Sequence, residues 1–468
     1  MADAGPRESP PATPGGRPPF LLGESKRVFP AVANDSSAGT GIYSVTGRLR
    51  GRGSGRQWAF LLLLWLDRSS RSRRADLQTL ALFDLDNRDY GTSTETTRRY
   101  GLRGARADRS PTSQGALALS FQGSQGESTW HAYDGGEGLG VSASALHAVA
   151  VDAARRVMKL DLEIEAGNTA LPLGGDHPRH TTTSTSPQWG RGSFQSGVRF
   201  SGKFAWGEEQ EDVDGDGGWI AHRSESRLLR TLRRSRANRH SHEWLQIQLA
   251  DGTEISVWLH FDRDRANRVV PPSVATAIGA NGEVTSATEF HLERLSFVRD
   301  PRAGAAADSL ESARYFADCY HLSVPAWRLD LISEPMFAAP AHELPIPYWS
   351  GPTAVTGTLD GVPISGFGFY ERTHALFRDF ELVDVLRGSL RHLPAAALTA
   401  GGLDAVALAD LAWEVDGFIA DGDPQGAIRH LNAAVRPAVD VLAEPHRNHV
   451  LAIVDDAAEA LLRWWVRP

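Results

Sequence analysis

The chain has 468 residues, among them 13 Trp, 18 Phe and one Cys, and a net charge of −8. This length supplies about three domains at the usual ~150 residues each, with material for well-filled cores. The lone Cys319 excludes an intramolecular disulfide and any multi-cysteine metal site and fits a reducing compartment, while the negative charge argues against nucleic acid as a partner.

Residues 1–26 are rich in Pro and Gly and lack the apolar core of a secretion signal, so they read as a disordered tail. From there to about residue 375 the pattern is β. Strands are expected at 43–49, 58–66, 78–85, 158–165, 198–206, 244–249 and 254–261, separated by Gly, Asn or Asp turns. The apolar run Trp58 to Leu66 has nine residues, where a membrane-spanning helix needs about 20, and reads as a strand buried on both faces. A soluble, cytoplasmic protein is the expectation, with peripheral membrane contact left open for a surface that handles greasy molecules.

Two hairpins stand out. Asp251-Gly252 joins 244–249 to 254–261, and Asp360-Gly361 joins 354–359 to 362–371, each pair suited to a two-residue turn with positive φ. On the last strand Phe367, Phe369 and Glu371 share one face by the period of two. A carboxyl on an aromatic face is suited to proton transfer if that face is buried, and reaches water if it lies at a strand end.

After Arg378 the period changes to that of helices. Stripes at Phe380, Val383, Leu390 and Leu393, at 408–418, at 428–442 and at 450–461 predict four helices in a small antiparallel bundle, the third opened by Asp423-Pro424.

Several metal-like patterns fail on spacing. Asp212, Asp214 and Asp216 begin a calcium loop whose twelfth position is Arg223 instead of Glu. His240 and His242 have no third ligand at a suitable spacing. Asp455, Asp456 and Glu459 read as the solvated face of a helix. No metal and no cofactor is therefore assigned. The Arg-rich run 227–239 reads as a solvated or anion-facing loop. What remains is an aromatic β scaffold able to line an apolar cavity, with Trp244 on one strand and Trp258 and His260 on the next as wall candidates, against plain core as the alternative for each Trp.

The segments 42–67 (IYSVTGRLRGRGSGRQWAFLLLLWLD), 217–226 (GGWIAHRSES), 241–256 (SHEWLQIQLADGTEIS) and 347–371 (PYWSGPTAVTGTLDGVPISGFGFYE) resemble, in order, blocks of the two-domain lipocalin-like proteins related to carotenoid 1,2-hydratase. AttH-like proteins and the fungal decalin-forming Diels-Alderases share that fold. The resemblance covers about residues 40–373 and leaves the helical tail outside it. It implies a mainly β protein of two tandem lipocalin-like barrel or sandwich domains, drawn here at 27–190 and 191–375, followed by a helical domain at 376–468. It further implies a pocket between or within the two units for a hydrophobic polyene, hydrated or cyclised without a cofactor.

Where relatives carry Trp-Met-Asp-His-Glu, this chain has Trp219, Ile220, Ala221, His222 and Arg223, so the acid expected to protonate an alkene is missing. His222 is retained, and Glu371 matches the acid closing the last hairpin. The reading that follows is cyclisation or isomerisation of an isoprenoid or polyketide polyene. Glu371 serves as proton donor or electrostatic partner, His222 as hydrogen-bond donor or base, and Asp84 as a substitute acid, with a turn role as its other reading near a strand end. Trp58, Trp219, Trp244, Trp258, His260, Trp349, Phe367 and Phe369 form the walls. Hydration by a substitute acid and non-catalytic carriage of a lipophilic ligand are the alternatives.

Overall fold

The structure, a computed structural model, describes residues 40–67, 76–97, 118–133, 143–168, 170–173, 192–225, 240–262, 268–269, 273–299, 315–337, 341–342, 348–373, 379–398 and 404–466. The first sheet contains β1 (Thr40–Gly51), β2 (Gln57–Asp67), β3 (Asp76–Asp84), β4 (Asp89–Thr97), β5 (Ala118–Gln122), β6 (Glu127–Ala132), β7 (Ala143–Val151), β8 (Val157–Ala166), β9 (Leu171–Pro172), β10 (Gly192–Trp206) and β11 (Glu209–Glu225). Their order is β4-β3-β2-β1-β11-β10-β8-β7-β6-β5, with β9 beside β10.

The second sheet contains β12 (His240–Leu249), β13 (Glu254–Asp262), β14 (Arg268–Val269), β15 (Val274–Ile278), β16 (Val284–Ala287), β17 (His291–Arg299), β18 (Tyr315–Val324), β19 (Leu329–Pro335), β20 (Ala341–His342), β21 (Tyr348–Leu359) and β22 (Val362–Thr373). Its order is β16-β15-β13-β12-β22-β21-β19-β18-β17. Both are curled antiparallel sheets, the half-barrels of a two-domain lipocalin-like fold. The break between them falls between Glu225 and His240. The strands β10 and β11, which follow residue 190, thus pair within the first sheet. β10 and β11 close the first sheet because β11 pairs with β1, a contact between distant segments that no local pattern encodes.

β2 shows why these strands form as they do. Trp58, Phe60, Leu62 and Leu64 enter the core inside the first half-barrel, while Ala59, Leu61 and Leu63 enter a second cluster on the outer face. A strand wetted on neither side must be apolar at every position, and burying each such large side chain contributes roughly 1.5–3 kcal/mol. By contrast β8 alternates. Met158, Leu160, Leu162 and Ile164 are buried, and Asp161 on the other face is 2.5 Å from the imidazole of His147.

The outer faces of the two sheets meet. Ile42, Leu61, Leu63 and Phe83 of the first share a cluster with Phe337, Tyr348, Phe367 and Phe369 of the second. Leu171, Phe194, Trp219 and Ala221 share another with Trp244, Trp258, Val274 and Ile278. The Thr46 hydroxyl donates to Gln246 Oε1 across this seam at 2.7 Å.

The C-terminal segment forms α1 (Asp379–Arg391), α2 (Ala405–Ala420), α3 (Pro424–His430), a π turn at Leu431–Val435, α4 (Arg436–Asp440) and α5 (His446–Val466). Asp423 caps α3 as its sequence predicts, accepting from Gly426 N at 2.7 Å. The third expected helix is interrupted by the π turn. Pro437 has no N–H to give and its ring presses on the carbonyl four residues back, so the preceding turn widens. Leu382, Val383, Val385 and Leu386 of α1 join the same core as Phe316, Trp349 and Tyr370 inside the second half-barrel. The helices thus plug the barrel end away from its hairpin turns. At Gly388 a Cβ would lie 2.6 Å from the Phe297 ring, which is why α1 seats closely on β17. Among the described residues no helix is long and apolar enough to cross a membrane.

Candidate functional site

β12, β13 and β22 lie side by side, and alternation sorts their side chains between two environments. Toward the seam point His242, Trp244 and Gln246 of β12, Ser256, Trp258 and His260 of β13, and Phe367, Phe369 and Glu371 of β22. Trp244 lies opposite Trp258 on one side and Glu371 on the other. Toward the barrel interior point Glu243 and Arg372, which are also direct cross-strand partners.

On the seam face, His242 Nε2 is 2.9 Å from Glu371 Oε1. Both side chains are almost wholly buried, at 11% and 4% exposure. The His242 ring stacks on the Trp258 indole with centroids 4.4 Å apart and planes 21° from parallel. Trp258 Nε1–H donates to His260 Nε2 at 2.6 Å, so that nitrogen of His260 is an acceptor and its ring is held edge-on to the indole. Trp244 meets Trp258 edge to face and donates its own Nε1–H to Ser256 Oγ at 2.9 Å. Phe194 and Trp219 of the first sheet close the aromatic wall.

The result is a carboxyl–imidazole pair at the border of two apolar clusters, with Phe369 on one side and Trp244 on the other. Such a pair can deliver or take up one proton where water competes poorly, and the indole face beside it can stabilise a cation.

One residue away lies the support. Glu243 is fully buried and accepts from Arg294 Nε at 2.9 Å, Arg294 Nη2 at 3.0 Å, Tyr320 OH at 3.2 Å and Arg372 Nη1. Burial penalises its charge, yet the two guanidiniums outweigh that penalty and bring its carboxyl to about 2. Arg372 lies over the Phe261 ring at 4.5 Å. This network pins the β12–β22 register, and with it the meeting of His242 with Glu371. A second pin crosses the seam, where Asn168 Nδ2 donates to Glu254 Oε2 at 2.6 Å. Burial raises the Glu254 carboxyl above its ordinary value in spite of hydrogen bonds from Ser196, Gly197 and Asn168.

Of the residues expected from sequence, Glu371, Trp219, Trp244, Trp258, His260, Phe367 and Phe369 come together at the seam. Trp58 does not, since it stacks on Phe204 inside the first half-barrel at 4.6 Å. Trp349 is likewise inside the second, stacked on Phe316 at 4.9 Å. Asp84 closes the β3–β4 turn by accepting from Asp86 N, Asn87 N and Arg56. Burial raises its carboxyl, but the bonds from Asn87 and Arg56 outweigh it and leave the pKa below the ordinary value, as suits a turn cap. The His222 side chain and the Arg-rich run 227–239 lie outside the described residues.

His242 is the residue sequence reasoning missed as a site member. Its signal was the face it shares with Trp244, but its partner lies 129 residues away. The acids of the failed metal patterns are paired: Asp214 with Arg52 at 2.6 Å, Asp216 with Arg48 at 2.8 Å, and Asp456 with Arg299 and Tyr315. Among the described residues no group of three or more His, Cys, Asp or Glu is arranged to hold a metal ion.

No protein-family model matches the chain, and no curated protein matches it in sequence. Similarity appears at the level of structure. Kievitone hydratase from Nectria haematococca aligns with a TM-score of 0.50 at 15% identity, over 76% of this chain and 93% of that one. The fold is shared. An AttH-type protein of Nitrosomonas europaea aligns at 0.49 and 15% identity over 78% of this chain and 99% of that one. CghA in complex with Sch210972 aligns at 0.42 and 11% over 72% and 88%.

Proposed function

We propose that this chain is a cofactor-independent enzyme that takes a hydrophobic polyene, of isoprenoid or polyketide origin, into the seam between its half-barrels and catalyses cyclisation or isomerisation. The observation that carries this reading is the buried His242–Glu371 pair set against the Trp258 and Trp244 indoles. A pericyclic or proton-initiated ring closure asks for a substrate held in its reactive fold, one well-placed proton, and a wall that tolerates positive charge. Ala221 stands where the resemblance led to an acid, and it is buried among Trp219, Trp244 and Trp258. Proton chemistry at this seam therefore falls to Glu371, with His242 fixing its orientation and sharing its proton. The fold shared with kievitone hydratase, a hydratase by name, keeps addition of water as the second reading, since a carboxyl–imidazole pair can also activate water.

The test is to incubate purified protein with lipid extracts of cells lacking the gene and to resolve the products by mass. A new compound of unchanged mass supports cyclisation or isomerisation, and a gain of one water supports hydration. Glu371→Gln is expected to lower turnover by about 100-fold or more while remaining folded. Unchanged turnover in that variant overturns the assignment. Tight binding with no chemical change would make the protein a carrier.

A further inference from the structure

The second half-barrel has two ends, and only one is filled by the helices. At the other end four hairpin turns converge: β12–β13, β15–β16, β18–β19 and β21–β22. Between them lies a half-open cavity of about 470 Å³. Its floor is made by Ile255 and Leu329, both within the barrel core, and its sides by Ala277, Trp327 and Leu359, which pack on that core while remaining partly exposed. On the β15–β16 side the lining residues Ala277, Gly279 and Thr285 are small and fill little of the space between the turns.

We infer that this cup is a second ligand site, distinct from the seam, which takes a neutral, flat, mainly apolar molecule carrying a carbonyl or hydroxyl group. The volume lies within the range that encloses small-molecule ligands, and the Trp327 indole offers a stacking wall. Hydroxyls of Thr253 and Thr285, on the same strand face as Ile255 and Ala277, provide polar partners. The charge at the rim argues against an anionic guest. Arg328 and Asp360 form an ion pair at 2.5 Å that satisfies itself, and the remaining carboxylate, Glu283, repels anions. The two sites use opposite faces of one strand: Ile255 faces the cup, while Glu254, Ser256 and Trp258 face the seam. Binding in the cup can therefore be removed without touching the carboxyl–imidazole pair.

The probe is prodan, a neutral naphthalene ketone whose emission shifts to the blue when it leaves water. The full-length protein is expected to bind it, with energy transfer from tryptophan that falls in Trp327→Phe. Ala277→Phe, which fills the cup, should weaken binding by about tenfold or more, and Glu371→Gln should leave it unchanged. Equal binding by wild type and a folded Ala277→Phe protein, or a loss confined to the Glu371→Gln protein, overturns the site. Should Ala277→Phe fail to fold, crystals of the wild type soaked in 1-bromonaphthalene decide the matter. Bromine between Trp327 and Leu359 supports the site, and its absence there refutes it. Failure of this test leaves the seam chemistry standing, because turnover and prodan binding are read separately.

Discussion

Replacing Glu243 by Gln should destabilise the second half-barrel more than any other single change near the site. The carboxylate is shared by Arg294 and Arg372, and Arg372 is completely buried. With the amide in its place, two guanidiniums keep their desolvation cost and lose their counter-charge, a change that typically costs 3–5 kcal/mol, or about that range here. The carboxyl is held at about 2, below its ordinary 4.5, by the same two guanidiniums, which gives the pH dependence its sign. Because the folded-state pKa is depressed, this stability is fully present above about pH 4.5 and is lost as pH falls toward 2. Urea titrations followed by tryptophan fluorescence should therefore show a lower midpoint for Glu243→Gln at pH 7 and convergence with wild type near pH 2. Glu243→Gln combined with Arg372→Met should recover part of the loss, since Arg294 is partly exposed and can turn to water. A loss under about 1 kcal/mol at pH 7, or one that does not shrink in acid, would refute the account of the network.

Glu254 carries the opposite sign. Its carboxyl is raised by burial, so the contribution is greatest in acid and falls as pH rises through its folded-state value, and Glu254→Gln should flatten wild-type stability over that window. Gly366→Ala places a Cβ 2.4 Å from the Gln248 carbonyl, backbone that cannot yield, and should cost on the order of 2 kcal/mol in thermal or urea unfolding. Asp423→Ala removes the α3 cap and should cost about 1 kcal/mol, seen as faster amide exchange in the first turn of that helix. Cys319 has its thiol pushed up to about 12 by burial and by Asp318 and Glu334, so it should react with Ellman's reagent at pH 8 far more slowly than a free thiol and regain normal reactivity in urea. Fast reaction in the native protein would show that the thiol is not buried as described.

Much of the site was legible one strand at a time. The Asp360-Gly361 turn, with φ of +53° and +79°, and the alternation of Phe367, Phe369 and Glu371 follow from local sequence, as does the burial of β2 on both faces. Trp58 and Trp349 mark the limit of that reasoning. A large aromatic on a strand is equally at home inside a half-barrel or on its outer face, and nothing in its neighbours says which face meets the other domain.

The sequence by itself determined the β class, the two hairpins, the change to helix near residue 378 and the acid at the end of the last strand, because these depend on side-chain period and turn chemistry within a few residues. Only the tertiary structure decided that β12 lies beside β22, that His242 thereby meets Glu371, and that β10 and β11 belong to the first sheet. Strand pairing is set by which register buries the most apolar surface and satisfies the most charge over the whole sheet. Here the deciding charge pair, Glu243 with Arg372, is itself long-range, so the information lies in the assembled barrel and not in any window of the chain.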